Sequence, residues 1–192
     1  MVTIPNTPQP NNEFVIAEPS HMLAKFEWEL DTFVKTMMGQ RKKPDAMTFA
    51  GYQAFNCAVT AWHLADWAWA YANEDTKRAI AAKFGCQLKK KDRENLNSFF
   101  EAVCRESRDL HICRHIANSS KHLKLDKPDG GFRAEICYGE IPSGPNGTME
   151  KVFGLLVVDS GNVILVERIF ARAQEYWKAL FAKLGYTEQK AD

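Results

Sequence analysis

A run of alanines with helical spacing constrains the fold of this chain more than any other feature. The alanines follow one another at steps of three and four residues: Ala54, Ala58, Ala61, Ala65, Ala68 and Ala72. This spacing places small side chains along one line of a helix, where a second helix can approach closely. A second line with the same steps contains Phe55, Val59, Trp62, Asp66 and Trp69. Two adjoining lines predict a central helix at about 45–73 with neighbours on several sides and its tryptophans in the core.

This apolar segment is not predicted to cross a membrane. Five residues that are costly in a bilayer are spread along it: Gln53, Asn56, Thr60, His63 and Asp66. The whole chain is 45% hydrophobic and 26% charged, with a formal net charge of +1. These values are typical of a globular protein and exclude a disordered chain. They also give no electrostatic reason for broad binding to nucleic acid or to acidic membranes.

Periodicity and turn residues predict the other elements. Ser20 is expected to cap a first helix at about 21–38, Pro44 to open the central helix, and Gly85 to close a short helix, Thr76–Phe84. Asp92 is expected to cap the next helix. Ser107 either caps or interrupts the helix that runs from Arg108 to about Lys121. Three strands and a final helix follow: Phe132–Ile141, Lys151–Val158, Val163–Val166 and a helix ending at Leu184.

The predicted fold class is mainly α (α+β), a helical bundle with a small antiparallel β-sheet inserted before the last helix. The expected organisation is an extended arm at 1–19, a single bundle domain at 20–186 with its β insert at about 132–166, and a tail at 187–192. The N-terminus lacks the basic start and apolar stretch of a secretory signal.

The cysteines favour a reducing compartment. Their number is odd and no pair is spaced as CxxC, which argues against a disulfide framework and a zinc ribbon. The expectation is therefore free thiols in a cytoplasmic protein, at Cys57, Cys86, Cys104, Cys113 and Cys137.

The helix after Ser107 has an unusual polar face. At about 100° per residue, one arc of about 80° contains an arginine, three histidines and an asparagine: Arg108, His111, His115, Asn118 and His122. Arg114 and Lys121 lie beside the arc. A solvated face is one interpretation, although such faces are usually rich in Glu and Lys. The other interpretation is a functional site, because histidine can act as acid, base or metal ligand.

Two chemistries could use this histidine face. In the first, His111 and His115 bind a metal ion together with His63 and Asp66 of the central helix. In the second, no metal or other cofactor is needed. A histidine deprotonates the 2′-hydroxyl of RNA, a second group protonates the leaving oxygen, and an arginine stabilises the charge on the phosphorane.

The segment 108–122, RDLHICRHIANSSKH, resembles the HEPN superfamily. The motif of that family is an arginine, usually followed by a polar residue, and a histidine, with four to six residues between the arginine and the histidine. Arg108, Asp109 and His115 fit, with six residues between the arginine and the histidine; Arg105 and His111 give a second match. The helical part, about 20–125, has the resemblance, whereas the strands at 132–166 depart from a plain HEPN bundle. The Ala-rich helix and Asn118–His122 also suggest a bacterial or phage family.

The resemblance implies a dimeric bundle that acts as a metal-independent ribonuclease, as a toxin or an antiphage effector, or as a catalytically silent relative. It implies His115 or His122 as the general base, Arg108 on the transition-state phosphate, and Asn118 orienting the substrate or the histidine. Arg114 and Lys121 would bind substrate. The alternatives are an interaction or scaffold protein without catalysis, favoured by the near-neutral charge, and the metal-dependent bundle enzyme.

Overall fold

The computed structural model describes the backbone of residues 16–40, 44–119, 133–143 and 148–186, and the side chains of 16–39, 47–118 and 154–186. The predicted tail and residues 1–15 of the predicted arm lie outside these ranges. The elements in chain order are α1 (Pro19–Gln40), α2 (Pro44–Tyr71), α3 (Glu74–Phe84), α4 (Asp92–Glu106), α5 (Arg108–Ser119), β1 (Arg133–Ser143), β2 (Thr148–Asp159), β3 (Asn162–Leu165) and α6 (Val166–Leu184).

The alanine line of α2 is the centre of the core, as its spacing predicts. All six alanines are buried, and so are Trp62 and Trp69 on the neighbouring line. Helices α1, α4, α5 and α6 pack around α2, with the most extensive contact made by α1. The indole Nε1 of Trp177, on α6, donates a hydrogen bond of 2.9 Å to the backbone oxygen of Ala61. The small side chains therefore let α6 approach the backbone of the central helix.

Two of the predicted N-terminal caps are wrong. Helix α1 begins at Pro19, not after Ser20, because proline fits the first turn of a helix, where its missing N–H needs no partner. Ser20 is buried, and its hydroxyl lies 3.4 Å from Glu18 Oε2. Asp92 is the first residue of α4 and does not cap it. Its carboxylate instead accepts hydrogen bonds of 3.1 Å from Trp69 Nε1 and from Lys77 Nζ.

Helix α3 begins two residues before the predicted start at Thr76. The side chain of Asn73 caps the helix by accepting a bond of 2.8 Å from the Thr76 amide. Thr76 therefore lies in the first turn. Gly85 closes the helix with a φ of 65°, the left-handed conformation that favours glycine. The predicted C-terminal end of α3 is confirmed.

The predicted β insert is confirmed as one antiparallel sheet with the strand order β1-β2-β3. Arg133 pairs with Val158 at one end of the β1–β2 ladder, and Ser143 pairs with Thr148 at the other. Val166, predicted to end the last strand, is the first residue of α6. The fold is mainly α, a helical bundle with a small antiparallel sheet before its last helix.

The described helices include none that is both long and apolar enough to cross a membrane. Four cysteines are free: Cys57, Cys104 and Cys113 are buried, and Cys86 is half-buried. The side chain of Cys137 lies outside the described residues.

Candidate functional site

Ser107 separates α4 from α5 and positions the start of the histidine helix. Its backbone is extended, its amide donates to the Val103 oxygen at 2.9 Å, and its own oxygen accepts from the His111 amide at 3.1 Å. Its hydroxyl lies 3.3 Å from the Leu110 amide, which it caps. Ser107 therefore caps the start of α5 and also interrupts the path from α4 into α5. Arg105 stays on α4, so the second match to the HEPN motif spans two helices.

Arg108, the first residue of α5, binds the end of the sheet. Its Nε donates to Asp159 Oδ2 at 2.8 Å, and its Nη2 donates to Asp159 Oδ1 at 2.5 Å. Asp159 is the last residue of β2, and its side chain is only 9% exposed, whereas that of Arg108 is 54% exposed. The result is a two-bond ion pair with one buried member and one that reaches solvent.

The turn between β2 and β3 holds Asp159 in position. Ser160 and Gly161 both have positive φ, 51° and 84°, which reverses the chain in two residues. The Ser160 hydroxyl donates to Asp159 Oδ1 at 3.3 Å. The hydrogen bonds from Arg108 are the main reason that the pKa of Asp159 lies below its usual value. Asp159 is therefore ionised near neutral pH and fixes the guanidinium in place.

The arginine and two histidines of α5 form a continuous array. Arg108 Nη1 lies 2.7 Å from His111 Nδ1, and His111 Nε2 lies 3.3 Å from His115 Nε2. The two imidazole rings meet edge to face, with centroids 4.5 Å apart. We call Asp159, Arg108, His111 and His115 the α5 array. The predicted histidine face thus contains an ordered set of contacts, and both histidines are half-buried.

Donor and acceptor chemistry limits the proton positions in the α5 array. Arginine has no acceptor, so His111 Nδ1 accepts from Arg108, and a neutral His111 carries its proton on Nε2. The roles at the 3.3 Å contact between His111 Nε2 and His115 Nε2 depend on the tautomer of each ring. With its proton on Nδ1, a neutral His115 would present a basic nitrogen at Nε2, the form that a general base requires.

A second ion pair ties α5 to α6. Arg172 Nε and Nη2 donate to the two carboxylate oxygens of Asp109 at 2.8 Å and 2.6 Å. Asp109 therefore orients the helix; it is the polar residue that follows the arginine in the HEPN motif.

Arg114, predicted to bind substrate, contacts α4 and α2. Its Nη1 donates to Glu101 Oε1 at 2.8 Å, and its guanidinium carbon lies 5.4 Å from the ring centroid of Trp62. These contacts face α4 and α2, away from the α5 array, because Arg114 lies beyond the edge of the histidine arc. Asn118 is half-buried one turn after His115. His122 and Lys121 lie outside the described residues.

The alternative metal site called for His63, Asp66, His111 and His115. Among the described residues, no three His, Cys, Asp or Glu side chains are grouped so that they could hold a metal ion. Helix α5 packs against α2, where Ala117 and Trp62 belong to one hydrophobic cluster.

The fold and the site define a helical bundle whose polar array joins one helix to the end of a small sheet. No protein-family model matches the chain, and searches of curated proteins and of solved structures give no significant match. Sequence reasoning missed Asp159, which is 51 positions from Arg108. The only signal was an acidic residue in the turn sequence Asp159–Asn162.

Proposed function

We propose that this protein is a HEPN-like, metal-independent ribonuclease that acts in the cytoplasm as a toxin or antiphage effector, and that its site is built on the α5 array. The observation behind the proposal is the direct contact of an arginine and two histidines on one helix. Free thiols at the four described cysteines support the compartment. The motif spacing of Arg108 and His115 supports the family.

Each role follows from one feature of the array. His115 Nε2 is the base that takes the proton of the RNA 2′-hydroxyl, whose oxygen then attacks phosphorus. The contact of 3.3 Å with His111 is long for a hydrogen bond, so a substrate hydroxyl can replace it. Arg108 stabilises the negative charge that builds on the phosphate oxygens. Asn118 orients the substrate or His115, while His122 is the alternative base and Lys121 binds the RNA backbone.

The proposed enzyme is a homodimer, for a geometric reason. In an in-line displacement the attacking and leaving oxygens lie on opposite sides of phosphorus. A base and an acid must therefore reach two different oxygens from opposite sides of the phosphate. His111 Nε2 and His115 Nε2 are only 3.3 Å apart, so they cannot act as that pair in one protomer. A second copy would supply the acid that protonates the 5′-oxygen as it leaves.

The experiment is RNA cleavage in excess EDTA by the wild type and by two variants, His115→Ala and Arg108→Ala. Matched controls are His63→Ala, a half-buried histidine on α2, and Arg105→Ala, an exposed arginine on α4. We expect both array variants to lose about 10²-fold or more in rate and both controls to cleave normally. Equal cleavage by folded array variants would disprove the assigned roles. No RNA cleavage by the wild type would rule out the ribonuclease and leave a silent relative.

A second candidate is an interaction protein without catalysis. The observation that favours it is the pairing of two arginines with carboxylates at α5: Arg108 with Asp159, and Arg172 of α6 with Asp109. Paired charges attract a phosphate less strongly, because the carboxylate offsets the arginine. In that case the array is a structural network or part of a partner surface. Protection of the array from hydrogen exchange on dimerisation, together with no RNA cleavage, would support this candidate.

A further inference from the structure

A small cavity on the face shared by α1 and α2 has features of a binding site that is separate from the α5 array. Its volume is about 180 Å³. Three aromatic side chains line it and are unusually exposed for their size: Trp28 at 67%, Phe49 at 57% and Tyr52 at 66%. Ligand pockets for drug-sized molecules are larger, about 300–1,000 Å³. The cavity therefore suits one small group.

Two side chains of the same cavity have buried acceptor atoms that lack a partner. These atoms are Glu29 Oε2 and Gln53 Oε1. The other carboxylate oxygen of Glu29 accepts from Lys25 Nζ at 2.5 Å, and Lys25 also donates to Thr60 Oγ1 at 2.6 Å. Leaving a buried acceptor without a donor is unfavourable, and more so for a charged group. Both oxygens lie beneath the cavity wall, so a ligand that brings hydrogen-bond donors reaches them once the two side chains rotate toward it.

We propose that this cavity binds a small free alkylamine in its protonated form. An ammonium group has three donors and no acceptor, which matches the two unsatisfied oxygens. Its charge is also attracted to the faces of aromatic rings within about 6 Å, with tryptophan the strongest. The alkyl chain lies between Trp28, Phe49 and Tyr52, and the side chains of Glu29 and Gln53 both rotate to bring their buried oxygens to the ammonium group.

The requirement for N–H donors makes the proposal specific. A quaternary ammonium ion has the same charge and attracts aromatic rings, but it cannot donate to Glu29 or Gln53. A neutral alcohol of the same length fills the cavity without the charge. We therefore expect n-butylammonium to bind at least about tenfold more tightly than tetramethylammonium or n-butanol.

The test is calorimetric titration of the full chain with these three compounds, with amide NMR to locate the site. Saturable 1:1 binding of n-butylammonium is expected. Trp28→Ala and Glu29→Gln should each weaken it about tenfold or more. Tyr71→Ala is the matched control, because Tyr71 is an exposed aromatic residue of α2 outside the cavity. The affinity of this variant for n-butylammonium should stay within about twofold of the wild-type value.

Four results would overturn the proposal. The first is no saturable binding of n-butylammonium by the wild type. The second is equal binding of tetramethylammonium, which would remove the need for donors. The third is unchanged affinity in folded Trp28→Ala and Glu29→Gln. The fourth is tighter binding of Nα-acetyl-lysine methylamide than of n-butylammonium. It would assign the site to a lysine side chain and rule out a free alkylamine as its ligand.

Discussion

Replacing Asp159 by asparagine tests the ion pair that holds the α5 array. The substitution keeps the shape of the side chain and removes the charge that accepts two hydrogen bonds from Arg108. Breaking a fully buried pair costs about 3–5 kcal/mol, and an exposed pair contributes about 0–1 kcal/mol. Here one member is 9% exposed and the other 54% exposed, so we discount the buried value for solvent screening. The expected loss of unfolding free energy is about 2 kcal/mol.

For a chain of this length, a loss of about 2 kcal/mol lowers the melting temperature by about 4–8 °C. Urea denaturation at pH 7 measures the free energy directly. Asp31→Asn is the matched control, because Asp31 pairs with Lys35 and both side chains are more than half exposed. It should change stability by less than about 0.5 kcal/mol. Equal stability of Asp159→Asn and the wild type at pH 7 would refute the ion pair as a stabilising contact.

The pH dependence of stability provides an independent check on the direction of the Asp159 pKa shift. The pKa of Asp159 is lower in the folded protein than its ordinary value, mainly through hydrogen bonds from Arg108. Its contribution is therefore fully present above the unfolded pKa, near 3.8, and is lost as the pH falls through the folded pKa. The difference between the wild type and Asp159→Asn should shrink over that acidic range. A difference that grows on acidification would contradict the assignment.

Three other predictions concern the scaffold. Gly85→Ala should destabilise the protein by about 1–2 kcal/mol because Gly85 has a φ of 65°. Gly51→Ala should stabilise it by about 0.5–1 kcal/mol, because Gly51 lies inside α2 with open space around its Cβ position. Thermal melts measure both, and stability changes of the same sign would contradict the reasoning. Trp177→Phe should cost about 2 kcal/mol in urea denaturation because it removes the N–H that donates to the Ala61 oxygen and part of a fully buried ring, and an unchanged midpoint would count against that bond. Burial raises the pKa of the Cys57 thiol to about 12 and also raises that of Cys113, so iodoacetamide at pH 8 should modify Cys86 before either of them. Peptide mass mapping measures the order, and earlier labelling of Cys113 would conflict with the packing of α5.

The elements that were predicted correctly are those whose signal is local. The alanine line of α2 and the glycine that ends α3 depend on residues within a few positions, where helical geometry leaves little freedom. The caps at Ser20 and Asp92 were wrong because another residue could begin the helix equally well, and because Asp92 had a tertiary partner in Trp69. Local rules contain no information about such partners.

The candidate site was predicted only in part, for the same reason. The helical wheel placed Arg108, His111 and His115 on one face, and the structure joins them by direct contacts. The helical wheel could not show that Asp159, from a distant turn, pairs with Arg108. It also could not show that Glu101 and Trp62 contact Arg114. Which charged groups meet across elements depends on how the sheet and α6 pack against the bundle.

The central claim is that the α5 array cleaves RNA without a metal. The most direct measurement is the appearance of 2′,3′-cyclic phosphate ends on single-stranded RNA in excess EDTA, compared between the wild type and His115→Ala of equal thermal stability. The wild type should produce these ends, and the variant should produce at least about 10²-fold fewer per unit time. Equal rates in the two proteins, or cleavage by the wild type that EDTA abolishes, would contradict the account.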